Sequence, residues 1–570
     1  MSLTNPLSKG TFVKIFRMKI VIVGGVAGGA TAATRMRRLS EENDVIIFEK
    51  GEYVSFANCG LPYHIGGVIE ERSKLLLQTP ESLRSRYHLD VRIFSEVLSI
   101  DRDTKHVHVR NLQTGEDYFE SYDKLLLSPG AEPVKPPFEG IDSDRIFTLR
   151  NVADMDRIIN ATHHSSDFVV VGGGFIGLEI AENLMDLHKN VHLVELGDQV
   201  MAPVDFEIAS FVHNKASEKG IELLLKTAVE KFETSGDHLN VFLNNGTILQ
   251  TDAVILAIGV RPETALARNA GLEIGETKGI LVNKFLQTSD PDIYAVGDAV
   301  EVEHYINGKK ALIPLAWPAN RQGRLVADNM VRGNHREYDG SMGSSILKFF
   351  ELSVAATGLN EKTLKRNQIP YRSVIITKSN HAGYYPGAKD IVLKILFDNA
   401  GKIFGAQAVG QEGVDKRIDI IAAAIKGKMT VTELQEIEVT YAPPYNSAKD
   451  PVNIAGYAAE NILNGDLSVI SYSDLRDYEK EHNAIILDVR SAKEFERGFI
   501  EGAVNINVDH LREQLPQLDR NRTYIIYCQV GLRGYLAYRI LRNNGFGHVV
   551  NLNGGYNLWK NVYPHLTLAQ

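Results

Sequence analysis

Cysteine is nearly absent from this sequence, which has only Cys59 and Cys528 among its 570 residues. A secreted scaffold held together by disulfides needs more cysteines, so that class is excluded. Two isolated thiols in so long a chain indicate a reducing compartment, and we expect the cytoplasm. A lone cysteine is usually a small buried apolar residue. The residues around each cysteine must therefore show whether it has a chemical role.

Long apolar runs and an excess of positive charge are also missing. No apolar run reaches the about 18 residues that a membrane-spanning helix needs, and the formal net charge is −9. We therefore expect neither nucleic acid nor a membrane as a partner, although a local basic pocket could hold a small anion. Residues 1–17 lack a signal peptide's apolar core and cleavage site, so we interpret them as an extension before a natural start at Met18.

The chain contains two copies of one plan, in which an apolar strand leads through a glycine turn into a helix. IVIVGGVAGGATAATRMRRL begins at Ile20, and FVVVGGGFIGLEIAENLMDL begins at Phe168. Each copy continues into a second strand that ends in an acid, Glu49 in the first copy and Glu195 in the second. Two complete nucleotide-binding units predict two bound nucleotides.

Glycines in these turns allow backbone amides to approach a pyrophosphate, and the helix N-terminus adds partial positive charge. The turn glycines are Gly24 and Gly29 in the first unit, where Val26 takes the middle position, and Gly172, Gly174 and Gly177 in the second. A tight turn without a ligand is the alternative, but each turn here has its strand, helix and acid. We expect Glu49 and Glu195 to accept hydrogen bonds from ribose hydroxyls. Because an acid repels a 2′-phosphate, Glu195 favours NAD(H) over NADP(H).

The first unit is interrupted by the second. LLLSPGAEP, from Leu125, leaves the first unit, and TSDPDIYAVGDAV, from Thr288, supplies its last strand after the second unit has ended. The predicted fold is α/β, with two interleaved Rossmann-like domains, an α+β domain and a C-terminal α/β domain. The predicted boundaries are 18–150 with 272–340, 151–271, 341–461, a linker at 462–472, and 473–570.

From about residue 18 to 460 the chain resembles the pyridine nucleotide-disulfide oxidoreductases, through the two glycine fingerprints, LLLSPGAEP and AVGDA. Four further motifs resemble the coenzyme A-disulfide reductase branch: SFANCGLPY at 55–63, YYPG at 384–387, GVDKRID at 413–419 and YAPPY at 441–445. The resemblance implies FAD in the first domain, NADH in the second, and a homodimer formed through a dimerisation domain at 341–461. It also implies cofactor contacts from Lys50, Pro129, Gly130, Gly297 and Asp298.

Cys59 has no second cysteine in a CxxxxC pair. It therefore cannot close an internal disulfide and must bond to a substrate thiol, or to oxygen as a sulfenic acid. We expect helix-forming residues after Cys59 and the adjacent flavin to help keep it a thiolate. The protein then aligns nicotinamide, flavin and sulfur, so that NADH reduces a mixed disulfide on Cys59 through the flavin.

By the same resemblance, Tyr384 and Tyr441 of the partner subunit supply a proton or a hydrogen bond to the departing thiol. Tyr385 and Tyr445 are adjacent and are alternatives, and interface packing is the simpler role for all four. Residues that match Arg35, Arg38, Ser55 and Asn58 contact coenzyme A in this branch, and a solvated helix face is the alternative for each arginine.

LDVRSAKEFERGFIEGAVNIN, from Leu487, and YCQVGLRG, from Tyr527, resemble the rhodanese family over about the last hundred residues. Cys528 follows an apolar strand, and the amides of the loop after it can stabilise a thiolate or a persulfide. Arg533 can add positive charge there. An inert cysteine at a strand end is the alternative.

These features together predict a reductase of coenzyme A disulfide, coenzyme A persulfide or polysulfide, coupled to a sulfur-carrying rhodanese domain and without a metal site. One alternative is an NADH oxidase or peroxidase that uses a cysteine sulfenic acid. Such enzymes of the superfamily usually have a histidine in the first glycine turn, where this chain has Ala27. A second alternative is a flavoprotein whose redox state controls the binding of partners.

Overall fold

The structure is a computed structural model that describes residues 17–568, with the side chains of the last two left out. Nearly all of the segment interpreted as an N-terminal extension therefore lies outside the described residues. Within 17–568, no helix combines the length and the apolar character that crossing a membrane would require.

The first nucleotide-binding unit is built on a five-stranded parallel sheet. Its strands, in spatial order, are Ile293–Ala295, Lys124–Leu127, Lys19–Val23, Asp44–Phe48 and Asp90–Arg92. They are almost wholly buried and apolar, as parallel strands covered on both faces require. Helix Ala27–Leu39 packs against helix Ala316–Arg332 on this sheet. The edge strand Ile293–Ala295 comes after the whole second unit, which confirms the interleaved fold.

The second unit repeats this design. Its parallel strands, in spatial order, are Glu222–Leu224, Asn190–Val194, Asp167–Val171, Ala253–Leu256 and Ile146–Thr148. Its helices are Val152–Thr162, Phe175–Asp186 and Phe206–Glu218. The strand Ile146–Thr148 pairs with Val254–Leu256 in this sheet, whereas the predicted boundary at 150 places it in the first domain. A three-residue strand carries too little periodicity to be assigned to either unit from the sequence.

Smaller elements complete the two units. Antiparallel meanders are formed by Ser95–Asp101, His106–Asn111 and Asp117–Ser121, and by Val229–Ser235, His238–Leu243 and Ile248–Thr251. Strands Ala131–Pro133 and Val260–Pro262 pair where the chain passes between the units, and Ile280–Leu281, Val300–Glu303 and Lys310–Ala311 form a small sheet. The short helices are Leu61–Ile65, Pro80–Tyr87 and Ala265–Asn269.

The third domain is a five-stranded antiparallel sheet covered by helices. In spatial order the strands are Ser345–Phe349, Leu352–Gly358, Ile403–Gly410, Asp390–Phe397 and Arg372–Ser379. The helices are Glu361–Arg366, Val414–Lys426 and Pro451–Leu463. Its central strands are almost fully buried, because the domain's own helices pack on the sheet and helices of the second domain contact it as well.

The last domain is a five-stranded parallel sheet with helices around it. Its strands, in spatial order, are Val469–Ile470, Val549–Leu552, Tyr524–Tyr527, Ile485–Asp488 and Val504–Asn505. Its helices are Leu475–His482, Ala492–Glu496, Leu511–Gln514, Leu532–Asn543 and Gly555–Val562, and Phe499–Ile500 pairs with Thr567–Leu568.

The predicted linker at 462–472 is mostly ordered structure that joins the last two domains. Helix Pro451–Leu463 runs into its start, and Val469–Ile470 is an edge strand of the last sheet. Ile462 and Leu467 belong to one apolar core that is continuous from the third domain into the last. Only Ile462, Leu467 and Ile470 are buried within 462–472, and three apolar residues without a regular spacing do not predict ordered structure in a polar segment.

The last domain also contacts the second. Asn214 Nδ2 donates to the backbone oxygen of Asn561 at 2.9 Å and to its side-chain oxygen at 2.8 Å, and Asn561 Nδ2 donates to Ser210 Oγ at 2.5 Å. The amide of Ile375 in the third domain donates to Asn553 Oδ1 at 2.9 Å. The last domain is therefore docked on two others.

A buried charge cluster fastens the second domain to the third. The ammonium of Lys394 is buried and pairs with Asp205 at 2.9 Å, with Glu361 at 2.8 Å, and with Glu207. The three carboxylates lie close enough together to hold a metal ion, but the lysine already supplies their cation. The cluster therefore stabilises the contact between the second and third domains.

Candidate functional site

Two of the predicted glycines of the first turn are required by backbone contacts. Gly24 has φ +96°, and a Cβ there would lie 2.1 Å from the carbonyl oxygen of Ser128. A Cβ on Gly29 would lie 1.9 Å from the carbonyl oxygen of Gly24. No side chain fits at such distances, so the turn folds tightly enough for helix Ala27–Leu39 to start directly above the strand.

The second turn has the same geometry and one further property. Gly172, with φ +108°, approaches Ala257, and Gly177 approaches Gly172, so that added Cβ atoms would lie at 2.4 and 1.9 Å from carbonyl oxygens. Gly174 is the N-cap of helix Phe175–Asp186, and no atom of the described residues lies within 4 Å of its Cβ direction. The backbone at Gly174 is therefore open to a ligand, as a pyrophosphate site requires.

The two predicted ribose-binding acids are held in equivalent places. Glu49 accepts hydrogen bonds from the amides of Gly25 and Gly51, both at 2.9 Å. Glu195 accepts them from Gly173 at 2.7 Å and Gly197 at 2.6 Å. Each carboxylate oxygen keeps a lone pair for a hydroxyl. The acids therefore stiffen the glycine turns and can also bind ribose.

A cavity of about 570 Å³ opens at the carboxyl ends of the first sheet, where ligands of open α/β sheets bind. Its lining includes the predicted residues Gly24, Glu49, Lys50, Asn58, Pro129, Gly130, Gly297 and Asp298. Ala27 lines it too. Its glycine turn, acid and half-buried aspartate suit the pyrophosphate, ribose and ribityl groups of FAD, so these residues fit the implied flavin.

Sequence reasoning missed Arg150 and Glu263 in this lining. Arg150 donates to the carbonyl of Pro129 at 3.0 Å. Burial raises the pKa of Asp298, and the charge of Arg150 opposes that rise. Both residues come from segments between the recognised motifs, and no local pattern in the sequence marks them.

Cys59 lies in a 3₁₀ turn, Asn58–Gly60, that continues into helix Leu61–Ile65. The expected helix therefore exists, but it has only five residues. Cys59 as a whole residue is exposed. Its sulfur is nevertheless partly buried, and this burial is the largest cause that raises the pKa of the thiol. The negative charges of Glu179 and Asp298 raise it further. In the described chain, the side chains around Cys59 thus oppose the thiolate that the sequence led us to expect.

Glu179 was also missed, and it links the second unit to Cys59. It lies on helix Phe175–Asp186, directly after the second glycine turn, and accepts a 3.4 Å hydrogen bond from the Tyr63 hydroxyl. Burial raises the pKa of Glu179 to about 7; the Tyr63 hydrogen bond opposes this rise and the charge of Glu182 adds to it. A carboxyl that titrates near neutral pH beside a reactive thiol is typical of functional sites.

The residues predicted to contact coenzyme A differ in their exposure and in whether their side chains already have a partner within the chain. Arg35 Nε and an Arg35 terminal nitrogen donate to Asp328 Oδ1 at 2.9 and 2.8 Å, so this guanidinium already has a buried partner. Arg38 is exposed on the same helix, and Asn58 is exposed beside Cys59. Ser55 has φ +48°, an uncommon conformation for a serine, which is often found at functional sites.

The four predicted tyrosines lie together on two exposed loops of the third domain. The hydroxyls of Tyr384 and Tyr441 are hydrogen-bonded at 2.9 Å, while the two residues are 77% and 49% exposed. Tyr385 and Tyr445 are exposed as well, and Tyr385 packs edge-on against buried His381. The hydroxyl pairing favours Tyr384 and Tyr441 as the acting pair.

Arg417, from the motif GVDKRID, joins the two tyrosine loops. Its side chain is 1% exposed and forms an ion pair with buried Asp450 at 2.9 Å. The same terminal nitrogen donates to the carbonyl of Asn380 at 2.7 Å and to Asn446 Oδ1 at 3.0 Å. Asn380 begins the loop of Tyr384, and Asn446 ends the loop of Tyr441, so one guanidinium fixes both.

In the last domain, Cys528 is buried at the end of strand Tyr524–Tyr527, and its sulfur accepts a hydrogen bond from the amide of Gly531 at 3.1 Å. Of the successive loop amides predicted to point at the sulfur, that of Gly531 makes this hydrogen bond. Arg533, however, is not a free cation, because its two terminal nitrogens each donate to Glu494 at 2.7 Å. In the sequence, the capping-box pattern S-x-x-E at 491–494 could have predicted that the side chain of Glu494 is held in place at the start of a helix.

Comparisons with known proteins agree with this architecture. The profile of the pyridine nucleotide-disulphide oxidoreductases matches residues 18–323, that of their dimerisation domain matches 344–451, and that of the rhodanese-like domain matches 471–562. The coenzyme A disulfide reductase of Staphylococcus aureus is 37% identical over 446 residues, which are 78% of this chain and all of that protein.

Two solved structures extend the similarity over nearly the whole chain. The reduced CoADR-RHD protein of Bacillus anthracis is 48% identical with a TM-score of 0.95, covering 97% of this chain and 99% of that one. An NAD-dependent persulfide reductase from A. fulgidus is 36% identical with a TM-score of 0.90, covering 95% of this chain and 100% of that one.

Proposed function

Since the chain belongs to the pyridine nucleotide-disulphide oxidoreductases, in the coenzyme A disulfide reductase branch and with a C-terminal rhodanese-like domain, we propose that it uses NADH to reduce coenzyme A disulfide, coenzyme A persulfide or polysulfide. The reaction passes through a mixed disulfide on Cys59. The family already implies NAD(P)H-dependent flavin chemistry. The proposal adds the class of substrate and names the sulfur of Cys59 as the one that reacts.

One observation carries this proposal, namely that a single thiol lies near residues of both glycine-turn units. Asn58, next to Cys59, lines the cavity of the first unit, and Asp298 of that cavity acts on the pKa of the Cys59 thiol. Glu179, which also acts on it, belongs to the helix that starts at the second glycine turn. The other cysteine is in the last domain, so in this proposal Cys59 forms its disulfide with an external sulfur.

The balanced reaction for a persulfide is R–S–SH + NADH + H⁺ → R–SH + H₂S + NAD⁺. FAD, when bound, passes the two electrons from the nicotinamide to sulfur. The Cys59 sulfur forms a bond to one sulfur of the substrate and releases the other, and reduction then breaks that bond and regenerates the thiol. Glu49 and Glu195 orient the two nucleotides through their riboses, and Glu195 excludes a 2′-phosphate.

The departing thiolate needs a proton. In the proposed homodimer, the hydroxyl pair of Tyr384 and Tyr441 supplies it across the interface. A hydroxyl pair in hydrogen-bond contact can donate one proton while the second hydroxyl stabilises the oxygen left behind. The exposure of this pair in the single chain, together with the matching dimerisation domain, supports a site completed by the partner subunit.

We further propose that coenzyme A carries sulfane sulfur from Cys528 to Cys59 in the cytoplasm. The contacts of the last domain with the second and third support a fixed arrangement of the two thiols, for which a flexible pantetheine arm is the natural carrier, and the shared chain raises the local concentration of one site near the other. Cys528→Ser should then spare the reduction of coenzyme A persulfide and slow hydrogen sulfide release from bulkier donors when catalytic coenzyme A is present.

Steady-state NADH oxidation tests the proposal against a panel of acceptors: coenzyme A disulfide, coenzyme A persulfide, polysulfide, glutathione disulfide, hydrogen peroxide and oxygen. We expect the highest kcat/KM with a coenzyme A persulfide or disulfide. Faster turnover with oxygen or peroxide would favour the oxidase alternative. Ala27 argues against that alternative, because it lines the cavity and has no titratable side chain. Slow turnover with every acceptor would favour the redox-dependent binding protein.

A further inference from the structure

The loop that follows Cys528 is flanked by two arginines, and each already has a carboxylate partner. Arg490 is buried and pairs with buried Asp488 at 2.6 Å, while it also donates to Gln529 of the loop at 3.0 Å. Arg533 lies near enough to Cys528 for the charges to interact, and it makes a two-pronged ion pair with Glu494. Both positive charges at the Cys528 loop are thus neutralised.

Glu494 is held in this position by the start of its own helix. Its Oε2 accepts hydrogen bonds from the amide of Ser491 at 3.0 Å and from Ser491 Oγ at 2.8 Å, which with Ser491 Oγ as N-cap forms a capping box. The hydrogen bonds from Arg533 lower the pKa of Glu494 to about 2, and those from Ser491 act in the same direction. The carboxylate is therefore ionised at every physiological pH and cannot swing away without losing the cap.

We propose that Glu494 sets the donor specificity of the Cys528 site, making it accept sulfane sulfur from thiol persulfides and discriminate against thiosulfate. Thiosulfate releases a sulfite dianion, which needs a free guanidinium to bind it and stabilise it as it departs. In this site Glu494 occupies the two-pronged face of Arg533 and adds a negative charge that repels a dianion. A thiol persulfide releases a thiolate at the end of a flexible arm and needs no such anion site.

The surface beside the loop supports this choice of donor. Leu532 and Leu536, one turn apart on helix Leu532–Asn543, which begins directly after the Cys528 loop, are 69% and 47% exposed. An exposed apolar surface beside the loop suits an uncharged thiol arm better than a small, strongly hydrated dianion. The inference deepens the proposed function, and it rests on that proposal only in taking Cys528 as an acceptor of sulfane sulfur.

Both transfers balance. From a thiol persulfide, the Cys528 thiolate attacks the outer sulfur, so that Cys–S⁻ + R–S–SH gives Cys–S–SH + R–S⁻. From thiosulfate, Cys–S⁻ + S₂O₃²⁻ gives Cys–S–S⁻ + SO₃²⁻. No oxidant or reductant is consumed in either step, and only the second releases sulfite.

The test is Glu494→Gln in the full chain, since glutamine keeps the capping box but removes the charge that holds Arg533. We measure the sulfite released from thiosulfate with coenzyme A as acceptor, and the rate at which coenzyme A persulfide adds one sulfur to Cys528, followed by mass spectrometry in the Cys59→Ser background. We expect kcat/KM for thiosulfate to rise about tenfold or more, mainly through KM, because a charge-assisted hydrogen bond is regained. The rate with coenzyme A persulfide should change by less than about twofold.

Two further variants separate this result from a general charge effect. Glu496→Gln removes an exposed acid from the same helix and should leave both rates unchanged. Adding Arg533→Gln to Glu494→Gln should reverse the gain with thiosulfate. An unchanged thiosulfate KM in Glu494→Gln, or an equal gain in Glu496→Gln, would overturn the inference. If wild type takes sulfur from no donor onto Cys528, it is the proposed function of the rhodanese-like domain that fails.

Discussion

Among single residues, Glu195 carries the clearest prediction, because the proposed NADH site sets its carboxylate against the 2′-position of the ribose. Glu195→Arg should raise the ratio of kcat/KM for NADPH to that for NADH by about tenfold or more, as a repulsive charge is replaced by an attractive one. Steady-state kinetics with both nucleotides measure this. Glu230→Arg, an exposed substitution in the same domain, controls for the change in overall charge, and an unchanged ratio in Glu195→Arg would refute the assignment.

Glu179 provides a pH prediction at the thiol itself. Because its negative charge is one of the causes that raise the pKa of Cys59, Glu179→Gln should lower that pKa and increase the thiolate fraction at neutral pH. The test is the rate of iodoacetamide alkylation as a function of pH, in chains that carry Cys528→Ser so that Cys59 is the one thiol that reacts. With Glu179→Gln, the midpoint of this curve should lie at a lower pH than without it. Asp186→Asn, an exposed position on the same helix, should not move the midpoint; a rise or no change in Glu179→Gln would contradict the account.

The residues that sequence reasoning identified differ physically from those that it missed. Gly29 and Gly177 were predictable because their requirement is local: each turn brings the carbonyl oxygen of its first glycine against them. Gly24 and Gly172 approach Ser128 and Ala257, which are distant in the sequence, and they were identified through the glycine spacing of the motif. Glu179 and Glu494 act on Cys59 and Arg533 from elements distant in the sequence, and only folding brings them there. For the same reason, the sequence did not reveal that the positive charge predicted for Arg533 is paired with Glu494.

Among the structural elements, the two tyrosine loops of the third domain depend on one buried ion pair. Arg417→Met would leave the buried carboxylate of Asp450 without its counter-ion, at a cost of about 3–5 kcal/mol, and should lower Tm and release both loops. Reduction of the flavin by NADH should stay intact, because both nucleotide sites lie in other domains. Stopped-flow and steady-state rates distinguish these steps, and Lys416→Met, at the neighbouring position, is the matched control.

Arg417→Lys separates positioning from stability in the same element. Lysine keeps the charge but lacks the planar fork that reaches Asn380, Asn446 and Asp450 together. At a temperature where the variant is fully folded, kcat with a coenzyme A persulfide should fall while KM for NADH is unchanged. A kcat equal to that of wild type would show that the loops do not need this guanidinium.

The order of the long elements was predicted better than the domain to which each short strand belongs. Two long glycine-turn units and their interleaving follow from strong periodic patterns, and the fold confirms them. The strands Ile146–Thr148 and Val469–Ile470 were placed in the wrong segment, because two or three residues acquire their partners only through tertiary packing.

For the whole molecule, the proposed site spans two subunits, and this predicts complementation between inactive variants. Cys59→Ser chains and Tyr384→Phe/Tyr441→Phe chains should each be inactive or slow as homodimers. A purified heterodimer of the two, selected with different affinity tags, contains one intact site if the tyrosines act across the interface, and should regain about half of wild-type activity. If the tyrosines act within their own chain, no site is intact, and activity should not exceed that of the parents.

The central claim is that one thiol, Cys59, receives the electrons for the external sulfur substrate. Rapid mixing of Cys59→Ser with NADH, followed by coenzyme A persulfide, tests it most directly by monitoring the flavin absorbance and the hydrogen sulfide released. The account predicts that NADH reduces the flavin of the variant as fast as that of wild type, because the nucleotide sites do not require the thiol, and that no hydrogen sulfide then forms. Near-normal turnover of coenzyme A persulfide by Cys59→Ser would contradict it.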